Sequence, residues 1–326
     1  MSKNFWKTLN KPIICLAPMA DVTDAAFRFM IAKYGKPDIM WTEFVSVDGL
    51  CSAGKEKLLL DLKYSEKERP IVAQIFGSQP ENFTKVARLL KKLKFDGIDI
   101  NMGCPDKKVE KQGAGAALIK NPKLAQEIIL AAKKGAGGLP VSVKTRIGYN
   151  KIETEEWVSE LLKAEPAAII LHLRTRKEMS KVPAHWEEIT KAVALSRQAN
   201  VSLPSKERTL IIGNGDVKTP AEGVALCEKY GCDGVMIGRG IFGNPWLFSK
   251  KINSADLTLE KKLKVMTEHA KLYEQMFHGK KNFLIMRKHL GAYIKGFDNI
   301  KKLRVQLMAT TNAAEVLAVA KNYLQK

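Results

Sequence analysis

Eight short apolar, β-branched runs recur along this chain, and their number and spacing restrict the fold more than any other feature. They are PIICLAP (12–18), IMWTEFV (39–45), IVAQIFG (71–77), GIDINMG (97–103), VSVKTRI (141–147), AIILHLR (168–174), LIIGNGD (210–216) and GVMIGRG (234–240). Runs that are apolar almost throughout suit strands buried on both faces, which requires a parallel sheet covered by helices. Helix-period segments fall between most of them, such as 80–93, 122–134, 153–164, 186–199 and 219–229. Eight strands in about 250 residues favour a closed (β/α)8 barrel over an open doubly wound sheet. Past about residue 256 the strand signal stops, and 258–277, 281–296 and 301–324 read as helices separated by HGKK and GFDN. The expectation is an α/β protein: a TIM barrel over residues 1–250, then a small helical domain over 251–326.

Charge bears on the partner. The 326 residues carry a formal net charge of +20. The last 76 hold 15 lysines and arginines against 6 acids, an excess of nine positive charges. A lysine-rich surface alone could give that balance, but a concentrated excess suits a polyanion whose counterions it displaces. Nucleic acid is favoured over a membrane surface, because no strongly amphipathic terminal helix is present. The polar N-terminus does not resemble a signal peptide and no apolar stretch is long enough to span a bilayer, which leads to the expectation of a cytoplasmic protein. A monomer is the simplest expectation. The five cysteines, at 15, 51, 104, 227 and 232, show no C-x-x-C pair and read as free thiols rather than disulfides or zinc ligands.

In a barrel the working residues lie where strands end. Met19, Ala20, Gln74, Asn101, Cys104, Lys144, Arg146, His172, Arg174, Asn214, Asp216, Gly238 and Arg239 all fall there, more polar groups than packing needs. GRGIFG (238–243) matches G-x-G-x-x-G, but no further βαβ unit follows, so a dinucleotide fold is disfavoured. With IGNGD it better suits the phosphate site that barrels build from loops seven and eight. Lys144, inside a strand, requires an anionic or strongly accepting partner. A cofactor and an ion pair with Asp99 or Glu43 are equally open. His172 has no ligand-spaced companions, so a metal is disfavoured; a cofactor contact and a satisfied core histidine remain. Cys104 can be a packing thiol, a nucleophile or a general acid. No histidine base is nearby in sequence, and a thiol with a pKa of about 8.5 is mostly protonated at neutral pH. The basic, glycine-hinged stretch DKKVEKQGAG that follows reads as a lid.

Taken together, LAPMADVTDAAFR (16–28), VAQIFG (72–77), NMGCPDKKVEKQGAGAALIKNP (101–122), VKTRIG (143–148), HLRTR (172–176), IGNGDVKTP (212–220) and GVMIGRGIFGNPWLF (234–248) resemble the tRNA-dihydrouridine synthases. MRKHLGAYIKGF (286–297) and KKLR (301–304) are similar to that family's helical domain. Three positions depart from the family pattern: Asp21 replaces the usual glycine before VTD, Leu173 replaces a small residue, and His185 precedes Trp186 where aspartate is common.

The resemblance implies an enzyme that uses FMN, recharged by NADPH, to reduce the 5,6 double bond of particular uridines in tRNA. It implies that Pro18, Met19 and Ala20 pass beside the flavin, and that Gln74 and Lys144 contact its ring. His172, Asn214, Gly215, Asp216, Gly238 and Arg239 would surround its ribityl chain and phosphate. Cys104 would be the acid and Asn101 would help place the base, with Arg146, Arg287, Lys288 and Arg304 meeting the RNA. A flavin barrel acting on a free pyrimidine, and a non-catalytic RNA-binding barrel, are the competing readings. Both leave part of this set idle.

Overall fold

The computed structural model describes residues 4–199 and 208–325. Among the described residues nine strands make one parallel sheet: β1 (Ile13–Leu16), β2 (Met40–Trp41), β3 (Val45–Ser46), β4 (Ile71–Phe76), β5 (Gly97–Met102), β6 (Val141–Arg146), β7 (Ala168–His172), β8 (Leu210–Asn214) and β9 (Gly234–Ile237). Their order is β1-β9-β8-β7-β6-β5-β4-β2, with β3 also paired to β4. The ring closes where Cys15 and Ile39 form a parallel bridge, Leu16 N–H donates to Ile39 O at 3.1 Å and Asp38 N–H to Ile14 O at 2.9 Å. The expected (β/α)8 barrel is present.

One barrel strand is not continuous. The run expected as a single strand over 39–45 is divided into β2 and β3, because Thr42 Oγ1 takes the N–H of Gln74 at 3.1 Å. A side-chain oxygen here replaces a carbonyl of the ladder, and local side-chain bonding of this kind competes with sheet pairing.

Period two along each strand sorts the side chains. Ile13, Cys15, Trp41, Val72, Ile170, Ile212 and Met236 fill the barrel interior, joined by Trp6 from the chain that precedes β1. Leu16, Ile98, Ile100, Val143, Ile169, Leu171, Ile211 and Val235 face the surrounding helices. The inward set includes Gln74, Asp99, Asn101, Ser142, Lys144, Arg146, His172 and Asn214. Register then sets Gln74 beside Asp99, Asp99 beside Ser142, Asn101 beside Lys144, Arg146 beside His172, and His172 beside Asn214.

Beyond the barrel come helices Leu259–Phe277, Arg287–Tyr293, Lys301–Ala309 and Ala313–Leu324. The single helix expected over 301–324 is two helices. Thr310, Thr311 and Asn312 interrupt it, and the Asn312 side chain caps the second by accepting the Glu315 N–H at 2.9 Å. Short polar side chains offer the backbone this alternative to helix bonding. The helix expected over 281–296 is a 3₁₀ turn, Phe283–Met286, leading into Arg287–Tyr293.

These helices share one apolar core with the barrel's outer face. Phe27, in helix Ala25–Tyr34 after β1, stacks on His269 with centroids 5.1 Å apart and tilts onto His289 at 4.3 Å. Lys281 pairs with Glu43 at 2.8 Å and Asp61 at 2.6 Å, so charge as well as packing fastens the helical segment to the segments after β2 and β3.

Candidate active site

A cavity of about 770 Å³ opens at the C-terminal ends of β1, β6, β7, β8 and β9. Ala17, Pro18, Met19, Lys144, His172, Asn214, Gly215, Asp216, Gly238 and Arg239 line it, with Arg174 and Lys218. A second cavity of about 170 Å³ adjoins it and shares Pro18, Lys144 and His172; Asn101, Cys104, Arg146 and Phe44 form its remaining polar and aromatic wall. Twelve of the seventeen expected site residues therefore line two adjoining spaces.

Five expected positions lie elsewhere. Ala20 is exposed and lines neither cavity; Ala17, on the inward face beyond β1, takes that place. Gln74 is fully buried behind Asn101, with both ends of its amide bonded within the protein. Lys288 is exposed and pairs with Asp21 at 3.4 Å, and Arg304 is exposed on its helix. Arg287 is half-buried, with a buried Nε that has no hydrogen-bond partner.

Lys144 Nζ donates to Asn214 Oδ1 at 3.1 Å, and no described carboxylate comes within 4 Å of it. The ion pair with Asp99 or Glu43 does not form. Asp99 is committed to Gln74 and Ser142, and Glu43 to Asp21 N–H and Lys281. Burial, with Arg146 nearby, lowers the Lys144 pKa to about 8. A cation held against a neutral amide at a cavity wall is poised for an anionic or electron-rich ligand.

His172 Nε2 lies 3.2 Å from Arg174 Nη1. A guanidinium can only donate, so Nε2 accepts and the ring proton resides on Nδ1. Burial first, then Lys144, Arg146 and Arg174, hold this imidazole well below its ordinary pKa. His172 is a neutral acceptor.

Arg174 also binds Asp216 Oδ2, while Arg239 Nη2 reaches Asp216 Oδ1 at 2.8 Å. Asp216, the one carboxylate on the wall among the described residues, is neutralised twice. Arg174 was legible as a strand-end residue but had no assigned role; its place in HLRTR was the available signal. At Gly215, φ is +138° and a Cβ would stand 2.7 Å from Ala184 Cβ, so only glycine fits that corner.

The walls fit FMN: the volume lies within the usual range for small-ligand sites, and the charge balance is cationic. Lys144, Lys218, Arg174 and Arg239 face a single, doubly paired carboxylate. A phosphate-bearing group is the complement of that balance.

Cys104 is half-buried on the smaller wall. Desolvation raises its pKa above the ordinary thiol value, against a lowering contribution from the Asp106 N–H. The thiol is thus protonated at neutral pH, as a proton donor must be. Arg146 has little freedom: Nε donates to Gly103 O at 2.8 Å, and Nη1 to Thr175 O at 3.1 Å and Met179 O at 3.0 Å. It therefore braces the Cys104 loop. The expected lid is docked, with Glu110 forked by Arg176 and Ala116 N–H on Cys104 O at 3.0 Å.

The unusual Asp21 has φ +55°, a left-handed conformation that accounts for glycine being the common residue there and that aspartate tolerates. Leu173 is buried in the outer core, and His185 pairs with Glu178 at 2.9 Å. All five cysteines are free, Cys227 and Cys232 lying with sulfurs 3.5 Å apart. Among the described residues no helix is long and apolar enough to cross a membrane, and no cluster of metal-ligating side chains occurs.

Fold and site define a class: a (β/α)8 barrel with a cationic ligand cavity and a protonated thiol at the C-terminal rim, where barrel enzymes carry their chemistry. The model of the dihydrouridine synthase family matches residues 15–326, and the chain belongs to that family. It is 41% identical over 329 residues to "Probable tRNA-dihydrouridine synthase 2" of Bacillus subtilis (strain 168), covering 100% of this chain and 98% of the relative. It is 42% identical over 322 residues to "Probable tRNA-dihydrouridine synthase" of Staphylococcus aureus (strain MRSA252), covering 98% and 95%.

Solved structures share the barrel at low identity. Histamine dehydrogenase from Rhizobium sp. 4-9 superposes with a TM-score of 0.56 at 12% identity, covering 96% of this chain and 62% of that one. A variant of NCR from Zymomonas mobilis gives 0.51 at 17%, covering 75% and 87%. At such identities they speak for the fold alone.

Proposed function

We propose that this protein reduces the 5,6 double bond of specific uridines in tRNA to dihydrouridine, using FMN and NADPH, with Cys104 as the general acid. The observation that carries the reading is the adjacency of the two cavities: a protonated thiol on one wall, and Lys144 and His172 on the wall shared with a phosphate-compatible space. Lys144, His172, Asn214, Gly215, Gly238 and Arg239 would hold FMN, with Pro18 and Met19 beside it. Bound FMN, recharged by NADPH, would supply hydride to C6 of the uracil.

The protein's own groups account for the rest. Reduction at C6 leaves electron density at C5, which must take a proton. Cys104 Sγ–H supplies it, and the burial that raises its pKa keeps the proton available at neutral pH. Asn101, on the same small wall, helps orient the base. The uridine must leave its stack to enter so small a cavity, at a cost of a few kcal/mol. Phosphate contacts from the basic residues offset this cost. In this reading residues 1–250 are the catalytic barrel and 251–326 the RNA-binding helices, where Arg287, Lys288 and Arg304 meet the tRNA backbone, in a protein acting in the cytoplasm.

The test is Cys104→Ala, assayed by NADPH-dependent dihydrouridine formation in tRNA beside FMN and tRNA binding. Loss of a positioned general acid lowers turnover by roughly 10²–10⁴-fold, with both binding constants unchanged. Turnover at the unaltered rate would remove the thiol from the mechanism. Wild-type protein that binds tRNA but takes up no FMN would overturn the whole reading.

A further inference from the structure

Beneath Cys104 lies a hydrogen-bonded chain in which the mechanism above gives Asp99, Gln74 and Ser142 no part. Asp99, fully buried on β5, accepts Gln74 Nε2 on Oδ2 at 2.7 Å and Ser142 Oγ on Oδ1 at 2.5 Å. Gln74 Oε1 accepts Asn101 Nδ2 at 3.1 Å. Asn101 Oδ1 accepts two backbone N–H groups, Gly103 at 3.1 Å and Cys104 at 2.9 Å. Register enforces the adjacency, since Gln74 lies opposite Asp99 across β4 and β5, and Asp99 opposite Ser142 across β5 and β6.

The chain has a direction. Burial raises the Asp99 pKa to about 6, so at neutral pH it is ionised and can only accept; Gln74 must then turn its NH2 toward Asp99 and its oxygen toward Asn101. Asn101 must then give its NH2 to Gln74, which leaves its oxygen for the Gly103 and Cys104 amides. Reversing either amide would set donor against donor at a buried contact. Three strands thus transmit one polarity to the backbone bearing the thiol.

We propose that Asp99 is a positioning residue for Cys104: as the acceptor-only end of this chain, it fixes the Gln74 and Asn101 amides and through them the peptide that aims the thiol into the small cavity. That the aimed thiol donates a proton rests on the function proposed above; the chain itself does not.

The prediction separates acceptor from charge. Asp99→Asn removes the charge but keeps an oxygen for Gln74, because its new NH2 can turn to the Ser142 hydroxyl, which accepts. Asp99→Leu removes charge and acceptor together. Gln74→Met breaks the chain in the middle while leaving Asp99 in place, and serves if Asp99→Leu does not fold. Amide hydrogen exchange at Gly103 and Cys104 in the full-length protein is the direct readout. Asp99→Asn should retain the protection of both amides. Asp99→Leu or Gln74→Met should each raise exchange there roughly tenfold, the scale of one lost hydrogen bond, and lower turnover on tRNA with FMN affinity unchanged. If Asp99→Asn loses protection as fully as Asp99→Leu, the charge rather than the acceptor matters and the proposal fails. It fails equally if the folded Gln74→Met protein keeps wild-type exchange at both amides. Should no variant, wild type included, act on tRNA, the exchange data still decide the positioning role, and only the functional reading falls.

Discussion

Asp24 should make this protein less stable as the pH rises, and Asp24→Asn should remove its share of that trend. Asp24 caps helix Ala25–Tyr34, its Oδ1 accepting the Phe27 N–H at 3.0 Å. Its other oxygen is buried without a hydrogen-bond partner. Burial first, then the nearby Glu43 charge, raise the carboxyl pKa from 3.8 to about 7, against the Phe27 N–H, Lys281 and Arg28. A folded pKa above the unfolded one gives a definite sign. Both states are protonated below about 4, where the contribution to stability is complete; between about 4 and 7 the unfolded chain sheds the proton that the folded one keeps, and stability falls. Three pH units correspond to about 4 kcal/mol. Asparagine caps a helix as well as aspartate does and carries no charge. Its buried NH2 imposes a fixed cost of about 1–3 kcal/mol at every pH. The quantity to follow is therefore the difference between the two unfolding free energies, from urea melts at pH 4.5 to 8. Asp99 titrates in both proteins and cancels. That difference should move by several kcal/mol in favour of Asp24→Asn as the pH rises. A flat difference curve would show that Asp24 ionises in the fold without penalty, and the reasoning from its orphaned oxygen would be wrong.

Gly135 lies where helix Pro122–Ala136 crosses helix Pro80–Lys92, and a Cβ there would stand 2.2 Å from the Thr84 carbonyl oxygen. Gly135→Ala should cost about 1–3 kcal/mol by overpacking, measured by urea denaturation, although alanine is the better helix former. Lys288→Glu and Arg304→Glu should each weaken tRNA binding and reduce the slope of log K against log salt by about one, while FMN titration stays unchanged; an unaltered salt slope would place the RNA on another face.

The barrel was legible because it is written in local pattern. Eight apolar runs at helix-length spacing admit few other closed architectures, and seven of them are strands that begin within a residue of the expected place. The eighth divided at Thr42, where a side-chain oxygen captured the ladder donor of Gln74, a contact from 32 residues away that no local window contains. The helix expected over 301–324 failed for a more local reason: Thr310, Thr311 and Asn312 were short polar competitors inside an otherwise periodic segment.

At the site, residue types and strand-end positions were readable, so Cys104, Lys144, His172, Asn214 and Arg239 could be named from the chain alone. Partners could not. Lys144 could equally have met Asp99 or a ligand, and the choice was made by Gln74 and Ser142, which occupy Asp99 from neighbouring strands. Gln74 was expected at the cofactor and is instead a buried link behind Asn101, while Ala17 rather than Ala20 reaches the cavity wall. By itself the sequence determined which side chains face inward, since strand periodicity is a property of each segment. Only the tertiary structure decided which of them meet, because hydrogen-bond polarity, burial and the resulting protonation states depend on the register between strands brought together by folding.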